Sequence, residues 1–112
     1  MVHLVTYAAM PAAGTYTSRR VSAEEFGDMI RAAAKAGRLR SWVGHEQSVD
    51  ICETLAGVRV PLTREWMRQI SDGDVLLFMP LKPRPKGEKT TRDVILRVAD
   101  FEYFAVTYSA SR

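Results

Sequence analysis

The fold is decided by the run Val75-Leu76-Leu77-Phe78-Met79, which is almost wholly apolar and has the length of one strand. Such a run is typical of a buried strand, and we expect it to be the central strand of the sheet. It is preceded by the turn signal Ser71-Asp72-Gly73-Asp74 and followed by Pro80. The rest of the chain is therefore interpreted as elements that surround this strand.

Weaker patterns predict further extended segments on both sides of the central run. Pro61 restricts one of them to an edge or an irregular stretch. In another, alternation places Arg64, Trp66 and Arg68 on a common face. These segments are residues 4–7, 16–21, 58–62, 63–70 and the aromatic-rich 101–108.

Two helices have clear sequence signals. Ser22 and Glu25 form a capping box, and the first helix ends at Gly37. The second begins near His45 and ends at Gly57, with apolar residues between them at roughly helical spacing. A third, short helix is expected over residues 90–98. The order of elements predicts an α/β (α+β) fold, a small mixed β-sheet of about five strands flanked by helices.

Length and composition predict a single domain over residues 1–112. The chain has 46% hydrophobic and 26% charged residues, and no run approaches the length of a membrane span. We expect no membrane association and a cytoplasmic location. The single cysteine, Cys52, is expected to be a buried, inert thiol. The net charge of +3 argues only weakly for a polyanionic partner.

His45 stands at the predicted start of the second helix, directly after Gly44. A helix start presents unpaired backbone N–H groups and the positive end of the helix dipole, which together bind phosphate. One interpretation is a site for phosphoryl chemistry; the other is a histidine that caps or packs at the helix end. No histidine lies in a zinc-ligand arrangement, so no metal site and no cofactor are expected.

Two other features suit an anionic ligand. The expected common face of Arg64, Trp66 and Arg68 describes either an exposed strand with one buried tryptophan or a surface on which a base stacks. The proline-rich loop Lys82-Pro83-Arg84-Pro85-Lys86-Gly87 is stiff enough to hold Arg84 in place, or is an ordinary solvated connection.

These residues resemble those of a known family. The segments Ser41-Trp42-Val43-Gly44-His45-Glu46-Gln47-Ser48 and Leu55-Ala56-Gly57-Val58, followed by Arg64, Gly73-Asp74 and Arg84, are similar in order and spacing to the ring nucleases that viruses use as type III anti-CRISPR proteins, and to their bacterial relatives. The resemblance spans nearly the whole chain.

The resemblance implies a homodimer that cleaves cyclic tetra-adenylate, the second messenger of type III CRISPR defence, without a metal. The implied catalytic residues are His45, Arg64 and Arg84. The implied substrate-binding residues are Gly44, Gln47, Ser48, Tyr7, Met10 and Trp66.

The chain also departs from the family pattern. The family commonly has asparagine and serine where this chain has Tyr7 and Met10, and its usual glutamate after the loop arginine is replaced by Lys86, with Glu88 following Gly87. A cyclic oligoadenylate of another ring size is therefore an alternative substrate that stays open. Two other classes of function also stay open: a protein that sequesters a cyclic nucleotide without cleaving it, and a small basic nucleic-acid-binding regulator that contacts its ligand through Arg64, Trp66 and Arg68.

Overall fold

The structure is a computed structural model that describes residues 1–83 and 95–111. Five strands form one mixed sheet, and two α-helices and a single 3-10 turn complete the described part of the chain. In chain order the elements are β1 (Val2–Val5), β2 (Gly14–Arg20), α1 (Ala23–Lys35), β3 (Leu39–Ser41), α2 (Glu46–Ala56), β4 (Val75–Phe78), the 3-10 turn (Val98–Asp100) and β5 (Phe104–Ala110).

The strand order in the sheet is β2-β5-β4-β1-β3. The apolar run of residues 75–78 is thus the central strand, as predicted. β1 pairs in parallel with both β3 and β4, whereas β5 is antiparallel to β4 and β2. The predicted α+β architecture with a small mixed sheet of five strands is confirmed.

One half of the predicted capping box, the Ser22 cap, is confirmed. The backbone N–H of Glu25 donates to the Ser22 hydroxyl at 3.0 Å, which starts α1. The Glu25 carboxylate accepts a hydrogen bond from Arg19 at 3.0 Å. At the other end, Gly37 has the left-handed φ of 68° that ends a helix.

The second helix also has the predicted limits. His45 is its N-cap residue in an extended conformation, and Gly57 ends it with a φ of 72°. The α1–α2 contact is very close, because a Cβ added at Gly27 would lie 2.6 Å from the carbonyl carbon of Leu55. Gly27 therefore sets the distance between the two helices.

The two faces of the sheet are covered differently. Leu4 and Leu77 belong to the main core, together with the buried sides of both helices. On the opposite face, Val5 and Leu76 pack with Met67 from the connection between α2 and β4. In the described part of the chain, α-helices thus cover one face and irregular backbone covers part of the other.

Cys52 lies in the main core, as expected, with its sulfur 3.3 Å from that of Met79. Burial raises the pKa of the thiol to about 12. The thiolate, which is the reactive form, is therefore strongly disfavoured at neutral pH.

Several predictions of secondary structure need correction. Residues 58–62 and 63–70 form no strand; Pro61 and long-range backbone contacts hold this connection in an irregular path. β3 is too short and polar to be recognised by periodicity, and the first strand begins two residues earlier than expected. Most of the helix expected over 90–98 lies outside the described residues, while residues 95–97 are not helical.

Candidate functional site

His45 lines an open cavity of about 740 Å³ at the start of α2. One wall comes from the end of β1, a second from the β3–α2 connection, and a third from the irregular segment before β4. The lining residues are Thr6, Tyr7, Trp42, Gly44, His45, Thr63, Arg64, Glu65 and Trp66. The cavity thus joins residues that are far apart along the chain.

Three hydrogen bonds hold the irregular segment against the rest of the site. The N–H of Thr63 donates to the carbonyl of Val43 at 2.8 Å, and the Ser41 hydroxyl donates to the carbonyl of Pro61 at 2.8 Å. The N–H of Met67 donates to the Tyr7 hydroxyl at 2.9 Å. The backbone on both sides of Arg64 is therefore fixed.

Tyr7 also makes an edge contact with the exposed Trp66, with 4.5 Å between the ring centroids. Trp66 is 66% exposed, which rules out the interpretation of residues 63–70 as a strand with a buried tryptophan. A large aromatic face is instead open to the solvent beside the cavity.

Gly44 lies beside the segment that carries Arg64. A Cβ at Gly44 would lie 3.4 Å from the Thr63 carbonyl oxygen and 3.8 Å from Cγ of Arg64. These are ordinary contact distances, and Gly44 does not have a positive φ. The contact places the Arg64 side chain directly against the residue that precedes His45.

Within the described residues, Arg64 and Glu65 form no ion pair or side-chain hydrogen bond. Arg59, by contrast, bridges Glu46 and Glu53 of α2 at 3.7 and 2.6 Å. Hydrogen bonds from Arg59 to Glu53 and then Asp50 raise its guanidinium pKa. Arg59 is occupied by the helix, whereas the Arg64 guanidinium has no partner in the part of the chain that the structure describes.

A buried hydrogen-bond chain fixes Trp42 on the inner side of the cavity. The Trp42 indole N–H donates to Nδ1 of His3 at 3.1 Å, and Nε2 of His3 lies 2.9 Å from the Asp74 carboxylate. Because an indole N–H only donates, Nδ1 must accept and the ring proton lies on Nε2. Both ring nitrogens of His3 are therefore used in structural hydrogen bonds.

The Asp74 carboxylate anchors this chain. It also accepts from the N–H of Ser71 at 3.0 Å and from the amino group of Met1 at 3.1 Å. Burial by itself raises the pKa of Asp74, but the hydrogen bonds from Ser71, His3 and the amino group together hold it below its usual range. The carboxylate is thus ionised and its acceptor atoms are used.

The cavity unites part of the predicted site. His45, Arg64, Gly44, Tyr7 and Trp66 all line it. The other predicted site residues lie elsewhere or outside the described residues.

Gln47 accepts from the N–H of Leu96 at 2.7 Å, and Ser48 is buried with 5% exposure; neither is among the cavity-lining residues. Met10 is 67% exposed and borders a separate apolar groove. Arg84 lies outside the described residues.

Four lining residues were not selected from the sequence: Thr6, Trp42, Thr63 and Glu65. Trp42 lies three residues before His45 and Glu65 follows Arg64, so proximity to the selected residues was a usable signal for both. Thr6 and Thr63 have no such signal, since their position depends on the path of the chain.

The lining residues can bind and protonate a phosphate group. An exposed imidazole and a guanidinium that has no partner within residues 1–83 and 95–111 line one opening, and a carboxylate and two indole rings complete the wall. Over residues 1–83 and 95–111, no group of three or more His, Cys, Asp or Glu residues is placed to hold a metal ion.

The fold and site together define a small α+β protein with an open, arginine-lined cleft beside a mixed five-stranded sheet. More particularly, the chain belongs to the STIV B116-like family, whose model matches residues 2–105.

The fold is also similar to a solved structure, B116 of Sulfolobus turreted icosahedral virus, with a TM-score of 0.75. The two chains are 16% identical, and the match covers 94% of this chain and 97% of the viral one. A search of curated proteins finds no match. In the described part of the chain, no helix is long and apolar enough to cross a bilayer.

Proposed function

We propose that the protein is a metal-independent ring nuclease that cleaves cyclic oligoadenylate, with cyclic tetra-adenylate as the expected substrate, and so switches off type III CRISPR signalling. The observation that carries this proposal is the meeting of His45 and Arg64 in one cavity. The sequence resemblance to viral ring nucleases supplies the substrate class, and the viral B116-like family is compatible with it.

The chemistry needs positioning more than a protein nucleophile, because an RNA linkage carries its own ribose 2′-hydroxyl. The 2′-oxygen attacks the adjacent phosphorus and loses its proton, and the bond from phosphorus to the 5′-oxygen breaks. The products are a 2′,3′-cyclic phosphate and a free 5′-hydroxyl.

In this scheme His45 donates a proton to the departing 5′-oxygen, which typically contributes about a hundred- to ten-thousand-fold in rate. Arg64 binds the non-bridging oxygens and stabilises charge in the transition state. Glu65 is the carboxylate that lines the same cavity, and we propose that it accepts the proton of the 2′-hydroxyl. Arg84 is proposed to add a second cation from the loop after β4.

We also propose that the active form is a homodimer. The cavity of one chain is open, and a ring of four nucleotides is large relative to a domain of 112 residues. Two paired sites would cut opposite linkages of the ring and release two linear di-adenylates.

Replacing His45 with alanine tests the mechanism. The His45 side chain makes no capping hydrogen bond, so the change removes no described contact that α2 needs. We expect His45→Ala to lose about a hundred-fold or more in turnover of cyclic tetra-adenylate and to keep its affinity. Chromatography of the products and titration of the ligand measure the two effects separately.

Thr54→Ala is a suitable control, because Thr54 is exposed on α2 and lies away from the cavity. It should keep wild-type turnover, and EDTA should leave the wild type unaffected. Full activity of His45→Ala, or its loss in EDTA, would contradict the proposed mechanism. Saturable binding with an unchanged ring after long incubation would favour the sequestering protein instead.

A nucleic-acid-binding regulator is a second candidate, because Arg64, Trp66 and Arg68 do line one common cavity. Strongly salt-dependent binding of DNA together with no response to cyclic oligoadenylates would favour it.

A further inference from the structure

A second cavity, of about 800 Å³, adjoins the one that contains His45. Four residues line both cavities and form the boundary between them: Trp42, Arg64, Glu65 and Trp66. Beyond this boundary the lining adds Arg40 from β3 and Arg68 from the connection that precedes β4. The two cavities are therefore two parts of one cleft.

The second cavity has an excess of unneutralised positive charge. Arg40, Arg64 and Arg68 form no ion pair or side-chain hydrogen bond within residues 1–83 and 95–111. Its carboxylates are Glu65 and Asp74, and the oxygens of Asp74 are already bound by His3, Ser71 and the Met1 amino group. Among the described residues, three guanidinium groups thus line the cavity against one carboxylate without a partner.

The floor of this cavity is rigid and polar. His3 and Asp74 are 5% and 7% exposed, and their hydrogen bonds fix the Trp42 ring between the two cavities. Trp66 provides a second, exposed ring at the same boundary. Indole rings stack on any base, and guanidinium groups bind phosphate, so this combination is suited to single-stranded nucleotide chains.

We propose that the second cavity binds the nucleotides next to the cleaved linkage, with their phosphates at Arg40 and Arg68 and a base against Trp42 or Trp66. The inference rests on the proposed function and extends it: the contacts to the ligand continue from the cavity that contains His45 into the second cavity. Binding of each added phosphate should also make the affinity more dependent on salt.

The test measures binding of linear di-adenylate and linear tetra-adenylate to His45→Ala protein, so that no probe is consumed. We expect tetra-adenylate to bind at least about tenfold more tightly than di-adenylate. In the same background, Arg40→Ala and Arg68→Ala should each weaken tetra-adenylate binding by about three- to tenfold and leave di-adenylate binding nearly unchanged. Arg68→Ala should also lower the salt slope by about 0.7.

Arg38→Ala is the matched control. Arg38 is exposed, lies two residues before Arg40, has no described ion pair and lines neither cavity. It should change both affinities little. Far-ultraviolet circular dichroism of each variant verifies that the protein is folded.

Equal affinity for the two probes would overturn the inference, as would losses in Arg40→Ala and Arg68→Ala no larger than in Arg38→Ala. Both results come from binding measurements and do not depend on cleavage. The proposed function is tested separately, by comparing the turnover of the wild type with that of His45→Ala. If the protein cleaves the ring but binds linear di-adenylate and tetra-adenylate equally well, the proposed function stands and the proposed role of the second cavity is wrong.

Discussion

Asp74 shows how one buried carboxylate supports both the sheet and the cleft. Its side chain accepts hydrogen bonds from Ser71, His3 and the Met1 amino group, and through His3 it orients Trp42. Hydrogen bonds to charged groups contribute about 1.5–3 kcal/mol each. The residue therefore has a structural role that reaches the candidate site.

Asp74→Asn should lower the free energy of unfolding by about 2 kcal/mol at pH 7. Because the folded pKa of Asp74 lies below its usual value, the carboxylate's contribution is complete above about pH 4 and is lost as the pH falls through the folded pKa. The difference in free energy of unfolding between the wild type and Asp74→Asn should therefore become smaller below about pH 4. Urea unfolding at pH 7 and pH 3 measures this difference.

Asp72→Asn is the control, since Asp72 is exposed in the same turn and Asn keeps an acceptor for the Ala110 N–H. Its effect should be small at both pH values. An Asp74→Asn effect that is constant from pH 7 to pH 3 would contradict the assigned role.

At the scale of elements, the contact between α1 and α2 depends on Gly27. In an exposed helix interior, alanine is more favourable than glycine by about 1 kcal/mol. Here the added methyl group would overlap the Leu55 backbone, and overpacking costs about 1–3 kcal/mol.

We therefore expect Gly27→Ala to destabilise the protein by about 1–2 kcal/mol despite the gain in helix propensity. Chemical denaturation measures the change. Ala32→Gly at an exposed position of the same helix calibrates the propensity effect alone and should cost about 1 kcal/mol. A more stable Gly27→Ala protein would show that the helices can separate freely.

The elements that could be predicted are those whose signals are local. The Ser22 cap, the limits of α2 and the apolar run of β4 are all encoded within a few residues. β3 has only three residues, and its pairing with β1 is set by the chain around it. Periodicity therefore had nothing to detect there.

The candidate site was predictable only in part for the same reason. His45 has a helix-start signal of its own, but its proximity to Arg64 depends on the hydrogen bond from Thr63 to Val43. Alternation placed Arg64, Trp66 and Arg68 on one face of a predicted strand. That strand is not formed, although the three residues do line one cavity.

At the scale of the whole molecule, the open face of the sheet is where we propose that two chains associate. An apolar groove of about 170 Å³ crosses this face, bordered by residues that include Tyr16, Phe78, Val106 and the exposed Met10. Exposed apolar surface of this kind commonly marks an interface.

We expect the purified protein to have twice its chain mass of 12.6 kDa in light scattering after size-exclusion chromatography. Met10→Lys should shift it toward the monomer, because a buried ammonium group in a dimer contact is costly. Ile95→Lys serves as the control, since Ile95 is 82% exposed and lies outside the groove. A monomeric wild type would exclude the proposed paired sites.

The position of β1 in the sheet also governs the order in which the molecule assembles. β1 lies between β3 and β4, so Val2 pairs with Leu39 on one side and Val75 on the other. Helices form from local contacts within microseconds, but closing so long a segment of chain is slow and costs entropy. During synthesis β1 can pair with β3 on one edge, but its other edge must wait for β4 to emerge, and until then that edge stays unpaired and open to aggregation.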